Sequence, residues 1–262
     1  MAENTKIQWT DDTWNPWHGC KKVSAGCKFC YLFREKERYK QDPKIVLRSK
    51  TKFYAPLGWK EPRLVFTCSW SDWFIDAADE WRNEAWAIIK RTPHITYQIL
   101  TKRPERIKDH LPADWGEEGY SNVWIGVTIE NQKAVVSRMK YFKDFPARVK
   151  FISVEPLLEN VCLFLNGAYK GLVDWVIVGG ESGNETGKYR YRKCTTSWIE
   201  DVVKQTVTAG IPVFVKQLGT FMSKKMKLSD RHGGDISEWS DLPFAIRQMP
   251  NNYLVPQKNS GK

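Results

Sequence analysis

Short apolar runs recur along the chain about every 25–30 residues, and several of the segments between them carry apolar residues at helical spacing. The runs occupy residues 63–69, 94–100, 122–128, 149–155, 174–180 and 211–217, and residues 13–17 form a shorter one. Strands that alternate with helices predict a parallel sheet. We therefore expect an α/β fold, a partial (β/α) barrel of the TIM type with six to seven parallel strands.

Four helices are predicted between these runs, at residues 30–41, 76–91, 132–145 and 197–210. Ser197 and Glu200 have the spacing of a capping box, and Gly210 suits a helix end. The pattern breaks after Leu218. We therefore expect a barrel over residues 1–218 and a loop-rich C-terminal extension over residues 219–262 that packs on it.

The composition narrows the class of protein. The 41 lysines and arginines exceed the 30 acidic residues and give a formal charge of +11, which favours nucleic acid or another polyanion as partner. A scattered surface charge is the alternative. The polar N-terminus does not resemble a secretory signal, and no apolar run has the length of a membrane span. Six cysteines without such a signal indicate reduced thiols and predict a cytoplasmic protein with no membrane partner.

Three of these cysteines, Cys20, Cys27 and Cys30, lie on one short segment after the predicted first strand. Thiolates are soft ligands, so such a trio can hold a metal ion or an iron–sulfur cluster. Gly19 and Gly26 each precede a cysteine and allow the backbone to turn beneath a ligand. We call residues 19–30 the cysteine loop.

Three cysteines do not complete a four-thiolate site. The fourth ligand is Cys68, His18 or a group that does not belong to the protein. Cys162 lies within an apolar run, which predicts a buried packing role, whereas Cys194 follows a charged stretch and is expected to be exposed.

Polar residues follow the predicted strands, at the ends where barrels of this type place their functional groups. The candidate cofactor contacts are Ser69, Asp72, Glu130, Asn131, Gly179, Gly180 and Glu181, with Glu130 and Asn131 as alternative ribose contacts. The candidate catalytic residues are Lys102, Glu155 and Lys216. The alternative for Glu155 and Lys216 is an ion pair with each other.

Two clusters mix basic and aromatic residues, which bind phosphates and stack on bases respectively. The first runs from Arg34 to Lys52 and the second from Lys188 to Lys193. The candidate nucleic-acid contacts are Arg34, Lys36, Arg38, Lys188, Tyr189, Arg190, Tyr191 and Arg192. A solvated helix surface with ordinary ion pairs is the alternative for the first cluster.

The cysteine spacing, with Phe29 before Cys30, resembles the signature of radical S-adenosylmethionine enzymes, although six residues separate the first two cysteines where that family usually has three. The segments WNPWHGC, SAGCKFCY, VIVGGESG and FVKQLG are similar to an uncharacterised phage and bacterial family of radical-SAM-like, three-Cys-motif proteins. This resemblance spans nearly the whole chain. Gly179–Glu181 also resembles the Gly-Gly-Glu element that binds the methionyl amine in radical SAM enzymes.

The resemblance implies a [4Fe–4S] cluster on the three cysteines, with S-adenosyl-L-methionine on the fourth iron. Such an enzyme generates a 5′-deoxyadenosyl radical and needs an electron donor such as a flavodoxin or ferredoxin. The basic clusters and the phage resemblance together favour a nucleic-acid base or nucleotide as substrate, with DNA preferred, in the host cytoplasm. The alternative is a zinc-stapled nucleic-acid-binding protein without redox catalysis.

Overall fold

A computed structural model describes residues 5–239 and 242–250 of the protein. Over these residues the strands are β1 (Asp12–Trp14), β2 (Trp17–His18), β3 (Leu47–Arg48), β4 (Arg63–Thr67), β5 (Ile95–Thr101), β6 (Val123–Thr128), β7 (Val149–Val154), β8 (Trp175–Gly179) and β9 (Val213–Gln217). The α-helices are α1 (Tyr31–Arg38), α2 (Asp79–Arg91), α3 (Gln132–Met139), α4 (Thr196–Thr208) and α5 (Thr220–Met226).

Seven of the described strands form one curled parallel sheet in the order β1-β4-β5-β6-β7-β8-β9. The sheet makes a half-barrel, because β1 and β9 lie at its two edges instead of pairing. The predicted partial (β/α) barrel is therefore confirmed. The short strands β2 and β3 form a separate antiparallel ribbon beside the cysteine loop.

Both faces of the sheet are buried, which explains why its strands read as nearly continuous apolar runs. On the outer face, residues such as Val65 and Ile125 share a core with Ile88 of α2 and Val202 of α4. The inner face carries a second core rich in large aromatic side chains, made of Trp9, Leu64, Trp124, Val149, Phe151, Trp175, Ile177 and Phe214. This aromatic layer fills the concave side of the half-barrel.

The free edge of β9 is covered by the segment around residues 244–248. Val215 donates its backbone N–H to Ile246 at 2.9 Å, and Gln248 donates to Val213 at 2.9 Å. Covering an edge strand in this way satisfies backbone groups that would otherwise invite pairing with another chain. Residues 251–262 of the predicted extension lie outside the described residues.

Three local predictions were wrong. The N-cap of α4 is Thr195, whose side chain accepts a hydrogen bond from the backbone of Trp198, so Ser197 and Glu200 do not form the predicted capping box. Helix α3 ends at Met139, earlier than predicted. Helix α5 lies in the segment predicted to be loop-rich. The predicted role of Gly210 is confirmed, since it follows α4 with a φ of +71°.

Among the described helices, none has both the length and the apolar character required to cross a membrane.

Candidate functional site

A cavity of about 860 Å³ lies between the carboxyl ends of the strands and the cysteine loop. Its floor includes Trp9 and Phe66 from the inner aromatic face. From the strand ends it is lined by Ser69, Asp72, Lys102, Arg103, Thr128, Ser153, Glu155, Glu181 and Lys216, and from the cysteine loop by all three loop cysteines. Polar groups from six consecutive strand ends therefore share one cavity with the thiols.

The start of the cysteine loop is fixed by backbone contacts. Gly19 has a φ of +103°, and a Cβ at this position would stand 2.1 Å from the carbonyl oxygen of Ile45, so only glycine fits. The Gly19 carbonyl accepts a hydrogen bond from the Ser71 hydroxyl at 2.6 Å. The backbone N–H of Cys20 donates to Pro43 at 2.8 Å.

Two arginines fix the middle of the loop to the sheet. Arg103, after β5, donates from Nη2 to the carbonyl of Lys21 at 2.9 Å. Arg192, before α4, donates from Nη1 to the carbonyl of Ala25 at 3.0 Å. The loop is thus held by side chains that come from distant parts of the sequence.

The three loop cysteines are free thiols with different surroundings. Burial, together with the charge of Asp72, raises the pKa of Cys20 to about 12. Burial also raises the pKa of Cys30. Burial acts in the same sense on Cys27, but the charge of Lys102 and hydrogen bonds from the backbone of Val23 and Ser24 outweigh it and lower that pKa. Lys102 therefore favours the thiolate that metal ligation requires.

Within the described residues, no three His, Cys, Asp or Glu side chains stand together as a ready-made site for a single metal ion.

The remaining cysteines differ from expectation in two cases. Cys162 is exposed and Cys194 is fully buried, so both predictions were wrong. Cys68 is buried, lines the cavity and has a φ of +56°. Burial raises its pKa well above the usual value. His18 also lines the cavity, where its Nδ1 lies 2.6 Å from Nζ of Lys36.

Asp72 connects two neighbouring strand ends. Its carboxylate accepts hydrogen bonds from the Thr101 hydroxyl at 2.7 Å, from the Lys102 backbone at 2.9 Å and from the Phe74 backbone at 3.0 Å. Arg103 lies 2.9 Å from it as an ion-pair partner. With these four donors Asp72 acts as a structural junction beneath the cysteine loop. The neighbouring candidate, Ser69, is hydrogen-bonded to Asn15 at 3.0 Å.

The three candidate catalytic residues all line the cavity. Lys216 and Glu155 form an ion pair at 2.6 Å, as the alternative interpretation expected. Lys102 instead approaches the Thr128 hydroxyl at 3.3 Å, and among the described side chains no carboxylate forms an ion pair with it.

Glu130 and Asn131 do not line the cavity. Glu130 is 1% exposed and pairs with Arg138 of α3 at 2.6 Å. Burial would raise its pKa, but the charge of Arg138 outweighs this effect and lowers it. Asn131 caps α3 by accepting from the Ala134 backbone at 2.8 Å. Asn131 and the Glu130–Arg138 pair thus hold α3 against β6. Glu130 also packs beneath the cysteine loop, since a Cβ at Gly26 would stand 3.2 Å from its carboxyl carbon.

The space beside the glycine-rich turn after β8 is occupied by the protein's own backbone. A Cβ at Gly180 would stand 2.3 Å from the carbonyl oxygen of Leu218, and one at Gly179 would stand 3.2 Å from that of Gln217. These glycines thus permit close contact with the end of β9, and neither lines the cavity. Glu181 does line it, but its carboxylate is bound by Arg192.

The candidate nucleic-acid contacts are largely engaged in intramolecular interactions. Lys36 is 2% exposed, and Tyr189 is buried against Leu32 and Phe33. Ion pairs involve Arg34 and Arg38 with Glu35, Lys188 with Glu37, and Arg192 with Glu181. Arg190 is exposed and Tyr191 is half-buried. The Lys188–Glu37 pair places the two clusters side by side, as expected, but Lys36 and Tyr189 are not available at the surface, and that part of the prediction was wrong.

Sequence reasoning missed two important groups, Arg103 and Arg138. Each is a single basic residue near a strand end or on a helix, and only the folded chain brings it to its carboxylate. The Lys36–His18 contact was likewise not anticipated.

No curated protein and no solved structure matches the chain. Residues 4–243 match a family described as "Protein of unknown function (DUF5131)", so the chain belongs to that family.

Proposed function

We propose that the protein is a radical S-adenosylmethionine enzyme that modifies a nucleotide or a nucleic-acid base. The observation that carries this proposal is the opening of three free cysteines into one large cavity that is also lined by polar strand ends. A structural zinc staple requires no such cavity, whereas a catalytic centre needs space for cofactor and substrate. The residues present fit the group, since Cys20, Cys27 and Cys30 are all free thiols and all line the same cavity.

In this proposal the three cysteines hold three irons of a [4Fe–4S] cluster. With the cluster bound and an electron supplied by a flavodoxin or ferredoxin, reductive cleavage of S-adenosyl-L-methionine provides a 5′-deoxyadenosyl radical. Lys102 stabilises the Cys27 thiolate, and Arg103 holds the loop against the sheet. The aromatic floor gives one side of the cavity an apolar surface. Such chemistry on a nucleotide would take place in the cytoplasm, in the host cell if a phage encodes the protein.

The test is anaerobic reconstitution with iron and sulfide, followed by absorption and electron paramagnetic resonance spectroscopy. We expect a [4Fe–4S] signal in wild type and in Cys162→Ala, whose exposed thiol lies outside the cavity lining, and loss of the signal in Cys20→Ala, Cys27→Ala and Cys30→Ala. After reduction, the wild type should cleave S-adenosyl-L-methionine to 5′-deoxyadenosine and methionine. A reconstituted, reduced protein that does not cleave it, or a protein that retains zinc and takes up no cluster, would contradict the proposal.

A further inference from the structure

Two basic side chains on the cavity wall have no part in the proposed cluster site. Lys36 projects from α1 and is only 2% exposed, and its Nζ lies 2.6 Å from Nδ1 of His18 on β2. Both residues line the same cavity as the cysteines. A buried lysine is unusual unless a carboxylate or another anion balances its charge.

No carboxylate among the described residues balances Lys36. The two acids on its own helix are engaged elsewhere, Glu35 with Arg34 and Glu37 with Lys188. The three carboxylates that line the cavity are also paired, and their partners are Arg103 for Asp72, Lys216 for Glu155 and Arg192 for Glu181. Six lysines and arginines line the cavity against these three acids, which leaves its wall positive.

The hydrogen bonds also point to an anion. A protonated lysine can only donate, so Nδ1 of His18 accepts from Lys36 and the imidazole carries its proton on Nε2. The hydrogen-bonding capacity left to the pair therefore consists of two N–H groups on Lys36 and one on His18. A phosphate presents acceptor oxygens and a negative charge to such a group of donors.

We propose that Lys36 and His18 form a phosphate-binding subsite, and that the substrate is a nucleotide whose terminal phosphate occupies it. The identity of the rest of the ligand rests on the proposed function. A terminal phosphate suits a lysine that is only 2% exposed, because an internal phosphodiester would need room for the chain to leave on both sides. Phe29, Tyr31 and Trp70 also line the cavity and offer aromatic surface on which a base can stack.

The intramolecular contacts of the second surface cluster favour this small ligand over a long polynucleotide. In the second cluster Tyr189 is buried and both Lys188 and Arg192 are held in ion pairs. Arg190 and Lys193 are the cluster's exposed cations for which no ion pair is found among the described residues. The buried lysine faces the cavity instead. The described residues therefore favour binding of an anion inside the cavity.

The experiment is isothermal titration calorimetry on the full, reconstituted protein. The ligands are inorganic phosphate, the common nucleosides, and their 5′-monophosphates. We expect one or more monophosphates to bind about ten- to a hundred-fold more tightly than the matching nucleosides. Lys36→Met, which keeps the aliphatic stem, should remove most of this preference while the nucleoside affinity stays unchanged. His18→Asn retains an acceptor for Lys36 but lacks the Nε2 donor, and it should lose part of the preference.

Lys133→Met is the matched control, since Lys133 is an exposed helical lysine outside the cavity lining, and it should keep the full preference. Oligonucleotides with and without a 5′-phosphate distinguish a strand end from a free nucleotide as the source of the phosphate. Equal binding of nucleosides and monophosphates, an undiminished preference in Lys36→Met, or oligonucleotide binding that ignores the end phosphate would overturn the proposal. This readout does not depend on cleavage of S-adenosyl-L-methionine, so failure of the proposed function would be seen separately.

Discussion

Arg192 and Glu181 form a two-point ion pair between the segment before α4 and the turn after β8. Nε of Arg192 donates to one carboxylate oxygen at 2.8 Å, and Nη2 donates to the other. The same guanidinium donates to the carbonyl of Ala25 and lies 5.2 Å from the ring centroid of Phe29. One arginine therefore ties the glycine-rich turn to the cysteine loop.

Replacing Arg192 with Met should destabilise the protein. The change leaves the carboxylate of Glu181, which is 6% exposed, without its counter-charge, and removing one member of a buried pair is costly. We expect the free energy of unfolding to fall by about 2–4 kcal/mol, measured by urea denaturation. The neighbouring Arg190→Met, at an exposed position, should change it by less than about 0.5 kcal/mol. Equal effects of the two changes would refute the special role of Arg192.

Stability should also fall in acid because of Glu130. Burial opposes its ionisation, but Arg138 lowers the pKa below the ordinary value of 4.5. A carboxyl whose pKa is depressed by folding stabilises the protein above its unfolded-state pKa, and this contribution is lost as the pH falls through the folded-state pKa. We expect unfolding free energies measured from pH 6 to pH 3 to fall less steeply below about pH 4.5 in Glu130→Gln than in wild type. Parallel pH profiles would contradict this assignment.

Tyr189→Ala should act on stability, although the sequence predicts a base-stacking role for this residue. Tyr189 is 8% exposed and packs on Leu32 and Phe33 of α1, so truncation leaves a cavity. A loss of about 3–5 kcal/mol is usual for large aromatic side chains in a core, and the thermal midpoint should fall accordingly. Tyr39→Ala, at a residue that is 63% exposed, is the control and should leave the midpoint nearly unchanged. A stable Tyr189→Ala variant with weakened ligand binding would restore the stacking role.

Cys68→Ala should retain a reconstituted iron–sulfur cluster. Burial raises the pKa of this thiol well above its usual value, which disfavours the thiolate needed for ligation. The iron and sulfide content per chain should match wild type, whereas Cys27→Ala should lose both. Loss of the cluster in Cys68→Ala would instead indicate a closed site of four thiolates, with no open iron for S-adenosyl-L-methionine.

The fold was predictable because its signals are local. Each long strand is a short apolar run, and α2 and α4 carry apolar residues at helical spacing, so the order of elements follows from the sequence. Helix α5 escaped prediction because it has only seven residues and two adjacent lysines in its last turn. Its N-cap, Gly219, has a φ of +84°, and a glycine in a sequence is more typical of a turn or loop than of a helix start.

The cysteines illustrate what local patterns miss. The apolar run around Cys162 predicts a buried thiol, yet Val161, Leu163 and Leu165 are buried while Cys162 and Phe164 are exposed. All five residues are apolar, so the sequence does not indicate which of them face the core. Cys194 is different, because its burial beneath the start of α4 depends on how distant segments pack.

The site was predictable only in part. Polar strand ends could be expected to gather at one edge, because parallel strands share a direction. The partners of Glu130, Glu181 and Lys36 could not be predicted, since each lies on another element and no local pattern encodes the pairing. Three residues expected at a ligand or a nucleic acid are therefore held by contacts within the protein.

The contacts of the cysteine loop also bear on how the protein would mature. Ser71, Pro43, Arg103 and Arg192 hold the loop backbone through bonds between protein groups. In zinc fingers, by contrast, the metal supplies the folding energy itself, and the chain is unstructured without it. On the proposed function, the chain would therefore fold first and receive its iron later. A cell starved of iron would then accumulate an intact but inactive protein, ready for activation when the metal returns.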